Sequence, residues 1–357
     1  MTRSEGCRLW DAEGNEFTDM IMSLGAVALG YAYPEVLAAV YEAVRAGTVG
    51  SLPPVLEQQV AEDLTQVIPN VESVRFFKSG AEAVAAAVRI ARVYTGRDRV
   101  VTCGYHGWLD WCQNEAGVPR CVRDLRTEVP FNDLDALSRA VEQETPPAAI
   151  VLEPIIDGPP DRGWLQSGRD LADSCGAVLV FDEIKTAFRV ALGGATELYG
   201  VTPDLVVVGK ALGNGFPIAA VCGPLGVMDA ATRTWISSTL ATEHAGLAAA
   251  RAVLNVFRRE DVLGHLRSTG GRLMQGLERL AADHPDVIVG VFGVPQMCYP
   301  RCVSPESAAR FAVEAAKRGV LFKPAGYNFV SLAHSDEVVD HVLEVLSTAA
   351  DQTEALC

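Results

Sequence analysis

Short apolar runs alternate with amphipathic segments through the middle of the chain. Strands that are apolar on both sides indicate a parallel or mixed sheet covered by helices. Between two of these runs, Leu165 to Cys175 has helical spacing, and Gly176 follows as a residue that commonly ends a helix. The pattern predicts an α/β layer structure. The almost entirely apolar runs are residues 148–152, 177–181, 205–209 and 218–222.

The two ends of the chain follow a different pattern. Residues 8–19 predict a hairpin around a polar turn, and Pro34 to Arg45 has the spacing of an amphipathic helix. From Glu243 onward helical patterns dominate, followed by a mixture of strand and helix patterns. The sequence therefore predicts two domains: a large one over residues 48–250 and a small α+β domain formed by residues 1–47 and 251–357.

Composition narrows the class of protein. The chain has 357 residues, of which 49% are hydrophobic, and a formal net charge of -15. Because an acidic surface repels phosphates, we expect neither nucleic-acid nor anionic-membrane binding. The nine cysteines are odd in number and scattered, which favours a reduced, cytoplasmic protein. No signal-peptide pattern and no apolar run of membrane-spanning length is present.

Three polar residues follow apolar strands of the predicted sheet: Glu153, Asp182 and Lys210. If the strands are parallel, these residues lie at one edge, where open α/β sheets bind ligands. There a partly desolvated lysine has a lowered pKa and a nucleophilic amine. We predict that Lys210 holds an aldehyde cofactor as a Schiff base, and that Asp182 pairs with the nitrogen of a pyridine ring. The alternatives are a lysine that points into water and an Asp182–Glu183 pair that only caps the next segment.

A second candidate region follows a predicted strand at Val74–Phe77. Ser79 and Glu82 fit a capping box, and Gly80 and Ala81 lie at the helix start, where free amides and the helix dipole favour a phosphate. An ordinary capped helix is the alternative.

Tyr105 and His106 follow another strand, beside glycines. Tyr105 could stack on a flat ring or be a half-buried loop aromatic. Histidines in such a position are more often structural than catalytic.

Competing motifs are incomplete. Gly209–Lys210 lacks the serine or threonine and the spaced glycine of a Walker loop, and Gly213–Gly215 lacks the third glycine of a dinucleotide fingerprint. Cys103 with His106, and Cys298 with Cys302, lack the second half of a zinc site. We therefore predict no metal site.

The stretch from Val180 to Ala195, then Tyr199 to Leu205, and then Gly209–Lys210 resembles the class III aminotransferases. Within them it is most similar to the branch that contains glutamate-1-semialdehyde 2,1-aminomutase. The similarity runs from Leu9–Asp11 to residues 333–337. This resemblance implies fold type I, a mixed but mostly parallel sheet in a large domain, the cofactor pyridoxal 5'-phosphate (PLP), and a homodimer with shared active sites.

Individual roles are implied by the same resemblance. Lys210 would bind PLP and move the proton, and Asp182 would pair with the pyridine nitrogen. Ile184 and Tyr105 would pack on the two faces of the ring, and Thr239 would reach the phosphate of the neighbouring subunit. The remaining cofactor-binding positions are Ser79, Gly80, Ala81, His106 and Glu153.

Some positions depart from the family. Ala81 stands where threonine or serine is common, Lys185 replaces a common methionine, and Lys78 replaces a common asparagine. Either lysine could meet an anionic group, although solvent exposure is the simpler expectation for both.

The segment after Tyr105–Gly107 is shorter than in true aminomutases, which favours ordinary amino transfer from an amino-acid donor to a carbonyl acceptor. The acceptor could be a sugar, a cyclitol or another specialised-metabolite precursor. An aminomutase or racemase and a non-catalytic protein of the same fold remain alternatives.

Overall fold

A computed structural model describes residues 1–354; residues 355–357, which include Cys357, lie outside the described part. The chain divides into two compact units: Met1–Ala39 with the segment that begins at Ala252, and Val40–Arg251. The boundaries predicted from sequence, at 48 and 250, lie close to these divisions.

The N-terminal segment contains the predicted hairpin, because two of its strands pair antiparallel with Arg8 opposite Thr18. A short turn follows in which Met22, Ser23 and Leu24 have positive φ angles of 46°, 51° and 56°. The elements are β1 (Arg3–Glu5), β2 (Arg8–Trp10), β3 (Glu16–Asp19), α1 (Met22–Gly25) and α2 (Pro34–Arg45).

The Val40–Arg251 unit contains a seven-stranded sheet. Its helices are α3 (Val55–Val67), α4 (Gly80–Thr95), α5 (Arg120–Arg123), α6 (Leu134–Val141), α7 (Trp164–Cys175), α8 (Gly194–Tyr199) and α9 (Leu225–Met228). Its strands are β4 (Ser73–Phe77), β5 (Val100–Cys103), β6 (Arg126–Glu128), β7 (Ala149–Leu152), β8 (Val178–Asp182), β9 (Leu205–Val208) and β10 (Ala219–Gly223).

The strand order of this sheet is β4-β10-β9-β8-β7-β5-β6. Strand β10 pairs antiparallel with both of its neighbours, and the other pairings are parallel. Alternate residues of the central strands enter two separate cores: Val178 and Val180 pack with α4, while Leu179 and Phe181 pack with α7. Because both faces are covered, these strands are apolar at nearly every position, as the sequence predicts.

The C-terminal segment contributes α10 (His244–Arg259), α11 (Val262–Asp283), β11 (Ile288–Val294), β12 (Met297–Cys302), α12 (Pro305–Lys317), β13 (Val320–Leu321), β14 (Asn328–Phe329) and α13 (Asp336–Glu354). Strand β13 joins β3 in a four-stranded sheet, and β11, β12 and β14 form a three-stranded one. The first unit is thus α+β. Within the described part of the chain, no helix combines the length and apolar character needed to cross a membrane.

Candidate active site

The register of the sheet brings three polar residues to one edge. Strands β7 and β8 pair in parallel with Leu152 opposite Phe181, and β8 and β9 pair in parallel with Asp182 opposite Val207. Glu153 follows β7 directly, Asp182 ends β8, and Lys210 lies just beyond β9. The predicted juxtaposition at the carboxyl edge of the sheet is therefore confirmed.

Lys210 begins a 3-10 helical turn over Lys210–Gly213 and has a φ angle of 44°. A non-glycine residue in this left-handed region carries a strain on the order of 1 kcal/mol, which is a common feature of functional sites. Burial lowers the pKa of the Lys210 amine to about 8, and the positive charge of Lys185 acts in the same direction. The carboxylates of Asp182 and Glu153 oppose this shift, and Arg189 adds slightly to it.

Asp182 is 4% exposed and accepts two hydrogen bonds. His106 Nδ1 lies 2.9 Å from its Oδ2 atom, and the amide of Ile184 donates to its Oδ1 atom at 3.2 Å. The ring of His106 is buried and stacks on Trp111 with 6.2 Å between centroids. The His106 Nε2 atom has no hydrogen-bond partner among residues 1–354. His106 thus fixes the orientation of Asp182.

Glu153 and Lys185 form an ion pair beside this dyad. The Oε2 atom of Glu153 contacts the Lys185 ammonium, and its Oε1 atom accepts a hydrogen bond from the amide of Tyr105 at 2.5 Å. The two side chains are 4% and 18% exposed. The expectation that Lys185 points into solvent is therefore wrong, because its charge meets a carboxylate that the sheet edge buries.

The start of α4 has the predicted capping box. The amide of Glu82 donates to Ser79 Oγ at 3.3 Å, and the amide of Ser79 donates to Glu82 Oε2 at 3.0 Å. Among the described residues, no hydrogen bond uses the amides of Gly80 and Ala81. A Cβ atom on Gly80 would lie 2.4 Å from Ile184 Cδ1, so glycine allows this helix start to approach the segment after β8.

Two predicted site residues have exposed side chains. Tyr105 is 68% exposed, although its backbone amide donates a hydrogen bond to Glu153. Thr239 is exposed in the loop between Thr234 and Glu243. The structure therefore groups Lys210, Asp182, His106, Glu153 and Ile184, with Ser79, Gly80 and Ala81 at the neighbouring helix start.

Sequence reasoning named Glu183 only together with Asp182, in the alternative in which the two residues cap the next segment. Its carboxylate is fully buried and accepts hydrogen bonds from the amides of Ala195 and Thr196 at 2.9 and 2.7 Å, at the start of α8. Burial raises its pKa, and these hydrogen bonds oppose that rise. Glu183 therefore fastens the loop after Asp182, which is the capping alternative. The one signal in the sequence is a second carboxylate beside Asp182.

The fold and the strand-end lysine and aspartate define a class of α/β enzyme with a half-buried lysine and a buried, oriented carboxylate at adjacent strand ends. Residues 1–350 match the family described as aminotransferase class III, and the chain belongs to that family. The family identified from sequence is therefore confirmed.

Solved structures agree with this assignment. The FumI protein of Sphingopyxis sp. MTA144, in a PLP internal aldimine form, is 27% identical with a TM-score of 0.94 over 99% of this chain and 88% of its own. An omega-transaminase from Sphaerobacter thermophilus is 26% identical, with a TM-score of 0.90 over 99% and 91% of the two chains. A glutamate-1-semialdehyde aminomutase from Pseudomonas aeruginosa PAO1 is 22% identical, with a TM-score of 0.90 over 98% and 87%. This last similarity shows the shared fold, and the predicted fold class is confirmed.

Proposed function

We propose that this protein is a PLP-dependent aminotransferase that moves an amino group from an amino-acid donor to a carbonyl acceptor. The observation that carries the proposal is the pairing of a half-buried lysine with a buried, oriented aspartate at adjacent strand ends. Membership of the class III family supports amino transfer. The PLP named in the FumI structure supports the choice of cofactor.

The residues at the sheet edge fit a pyridine aldehyde phosphate. Lys210 offers an amine whose pKa of about 8 leaves part of it neutral near physiological pH. Asp182 offers a carboxylate held by only two described hydrogen bonds, so it can accept another. The unused amides of Gly80 and Ala81 at the positive end of α4 suit a phosphate.

PLP, when bound, supplies a ring that accepts the electron pair released at the donor's α-carbon. Lys210 would bind the aldehyde through Nζ. Once displaced by the donor, the same Nζ would carry a proton between the α-carbon of the donor and the former aldehyde carbon of the cofactor. Asp182 would hold a proton on the ring nitrogen, and His106 would keep that carboxylate aligned. Ile184 and Tyr105 would flank the ring, and Glu153 would border it.

The compact segment after Gly107 supports exchange of a free keto product. Between Gly107 and Phe131 the chain folds into a 3-10 turn at Asp110–Cys112, followed by α5 and β6. This segment is short and includes these elements. We infer from this that it does not form a long mobile loop that could retain the intermediate. We therefore favour amino transfer over aminomutation; a sugar, cyclitol or related precursor is the proposed acceptor class.

We also propose that two copies form a homodimer that shares its active sites. Trp235 and Leu240, which flank Thr239, are 83% and 50% exposed. This loop is joined to the 41–55 segment by a hydrogen bond from the amide of His244 to the carbonyl of Thr48. That segment exposes Tyr41, Val44, Val49, Leu52 and Val55. Exposed apolar side chains on two joined segments favour a second copy, which a molar mass from light scattering would test.

The test is a donor and acceptor screen followed by mass spectrometry, with Lys210→Ala as the matched control. We expect at least one amino acid to convert the bound cofactor to its amine form, seen as a loss of the visible absorbance of the aldehyde form. A carbonyl acceptor should restore that absorbance. Lys210→Ala should lose covalent attachment and turnover. Conversion of a single substrate without a keto-acid partner would instead support the aminomutase or racemase, and no cofactor capture at all would support the non-catalytic alternative.

A further inference from the structure

We propose that Lys185, held in place by Glu153, is a positioning residue that keeps the Lys210 amine in its neutral, nucleophilic form. The inference deepens the proposed function, since it rests on Lys210 as the amine that binds the cofactor. Lys185 stands at a position where the resemblance to the family leads us to expect an uncharged methionine, so a charge here is a departure from the expected pattern.

The placement of Lys185 follows from the sheet. Asp182 ends β8, and Lys185 lies three residues later in the same loop. Its ammonium contacts the carboxylate of Glu153, which follows the neighbouring strand β7. Glu153 is itself fixed, because the amide of Tyr105 donates to its other oxygen at 2.5 Å. A flexible lysine is thus held at the edge where Lys210 lies.

The packing around Glu153 leaves it little freedom to move. A Cβ atom on Gly104, which has a φ angle of 103°, would lie 2.8 Å from the Glu153 Cβ and Cγ atoms. The backbone therefore approaches the stem of Glu153 closely, which limits the space available to that stem. Both charges of the pair act on the Lys210 amine, Lys185 against its ammonium form and Glu153 in favour of it.

Four charged groups act on the Lys210 amine. Lys185 and Arg189 disfavour its ammonium form, while Asp182 and Glu153 favour it, and burial disfavours it most. Among the four charges the effect of Lys185 is the largest. A pKa of about 8 leaves roughly a quarter of the amines neutral at pH 7.5, compared with about one in a thousand for an ordinary lysine.

The two members of the pair must therefore act on Lys210 in opposite directions. Loss of the Lys185 charge removes a cation and also leaves the Glu153 anion uncompensated, so the pKa of Lys210 should rise. Loss of the Glu153 charge removes an anion and leaves the Lys185 cation uncompensated, so the pKa of Lys210 should fall. A merely structural ion pair would give no such reversal, because both changes break the same contact.

The experiment is competitive acetylation of the full chain after the cofactor has been removed. Acetic anhydride at a series of pH values labels neutral amines, and mass spectrometry of the Lys210 peptide gives the midpoint of its titration. Exposed lysines in the same sample serve as the internal reference. Since this measurement needs neither cofactor nor substrate, it can fail without the proposed function failing, and the donor screen can fail without affecting it.

We expect a midpoint near pH 8 for the unaltered chain. Lys185→Met should raise it by about one pH unit, Glu153→Gln should lower it by a similar amount, and Lys185→Arg should leave it nearly unchanged. The double variant Lys185→Met/Glu153→Gln carries no unpaired charge, so it should fold and titrate close to the original. Shifts in the same direction for the two single variants, or no shift in either, would overturn the proposal.

Discussion

Two lysine–glutamate pairs in the Val40–Arg251 unit have similar burial but lie in different surroundings. The side chains of Lys185 and Glu153 are 18% and 4% exposed, and those of Lys78 and Glu243 are 17% and 12% exposed. The first pair lies at the carboxyl edge of the sheet, within the electrostatic reach of Lys210. Neither Lys78 nor Glu243 is among the described charged groups that shift the pKa of Lys210.

The second pair instead joins the end of β4 to the start of α10. Lys78 Nζ lies 2.7 Å from Glu243 Oε1 and donates to the carbonyl of Pro217 at 3.0 Å. The carboxylate of Glu243 also accepts the amides of Ala245 and Gly246 at 2.8 and 2.7 Å. It thus binds donors that the start of α10 would otherwise leave unsatisfied. For Lys78, as for Lys185, the expected solvent exposure is wrong.

The comparison shows that the effect of a half-buried ion pair depends on which third group it faces. Such a pair gives little net stability by itself, because desolvation offsets much of the attraction. Next to a titrating amine its charges change the amine's proton affinity, and next to a helix start they satisfy backbone donors. We therefore expect changes at the sheet edge to alter chemistry, and changes at the helix start to alter folding.

The largest expected effect is at the sheet edge, in Asp182→Asn. The amide keeps the size of the side chain but loses the charge that would hold a proton on the cofactor ring. We expect the single-turnover rate of donor conversion to fall on the order of 100-fold or more, while the melting temperature changes little. A rate within a few-fold of the unaltered enzyme would contradict the role of Asp182. It would also contradict the expectation that changes at the sheet edge alter chemistry.

Lys78→Met, compared with Lys185→Met, tests the contrast directly. Removal of Lys78 leaves Glu243 half-buried without its cation, so we expect the free energy of unfolding at pH 7 to fall by about 2 kcal/mol. The acetylation midpoint of Lys210 should not move. If Lys78→Met shifts that midpoint as far as Lys185→Met does, the two pairs do not differ as we describe.

The pH dependence of this loss has a definite sign. Burial alone would raise the pKa of Glu243, but hydrogen bonds from Lys78 and from the amides of Gly246 and Ala245 bring it below its usual value. A carboxyl group with a lowered folded-state pKa stabilises the protein above its unfolded pKa and loses that effect as the pH falls through the folded value. The stability difference between the original chain and Lys78→Met should therefore be complete above about pH 5 and should narrow below the ordinary value of 4.5.

The smallest expected effect is that of Ser79→Ala. This change removes the hydroxyl that caps α4 and should lower the free energy of unfolding of the cofactor-free chain by about 1 kcal/mol. If Ser79 also binds the phosphate, the dissociation constant for PLP, measured by fluorescence titration, should rise as well. A loss of stability with unchanged PLP affinity would restrict Ser79 to the capping role.

Most elements of the large unit could be predicted from the sequence, since their signals are local. Ser79 and Glu82 predict the start of α4, and Gly176, with a φ angle of 67°, ends α7 as expected. In the small unit, β12 is missed because Pro300 and two cysteines interrupt its strand pattern. Strand β14 is limited to Asn328 and Phe329, which lie opposite Cys298 and Met297 of β12. Short strands of this kind form because a partner strand is available, which local pattern does not reveal.

The sequence by itself determined the apolar strands, their polar ends and the family to which the chain belongs. These features are local or are written in residue types, so Lys210 and Asp182 could be identified without coordinates. The tertiary structure alone decided which polar side chains meet: His106 with Asp182, Lys185 with Glu153, and Lys78 with Glu243. These partners are separated by 76, 32 and 165 positions. An ion pair requires atoms within about 4 Å of each other, and only the folded sheet and its crossing helices bring such distant positions together.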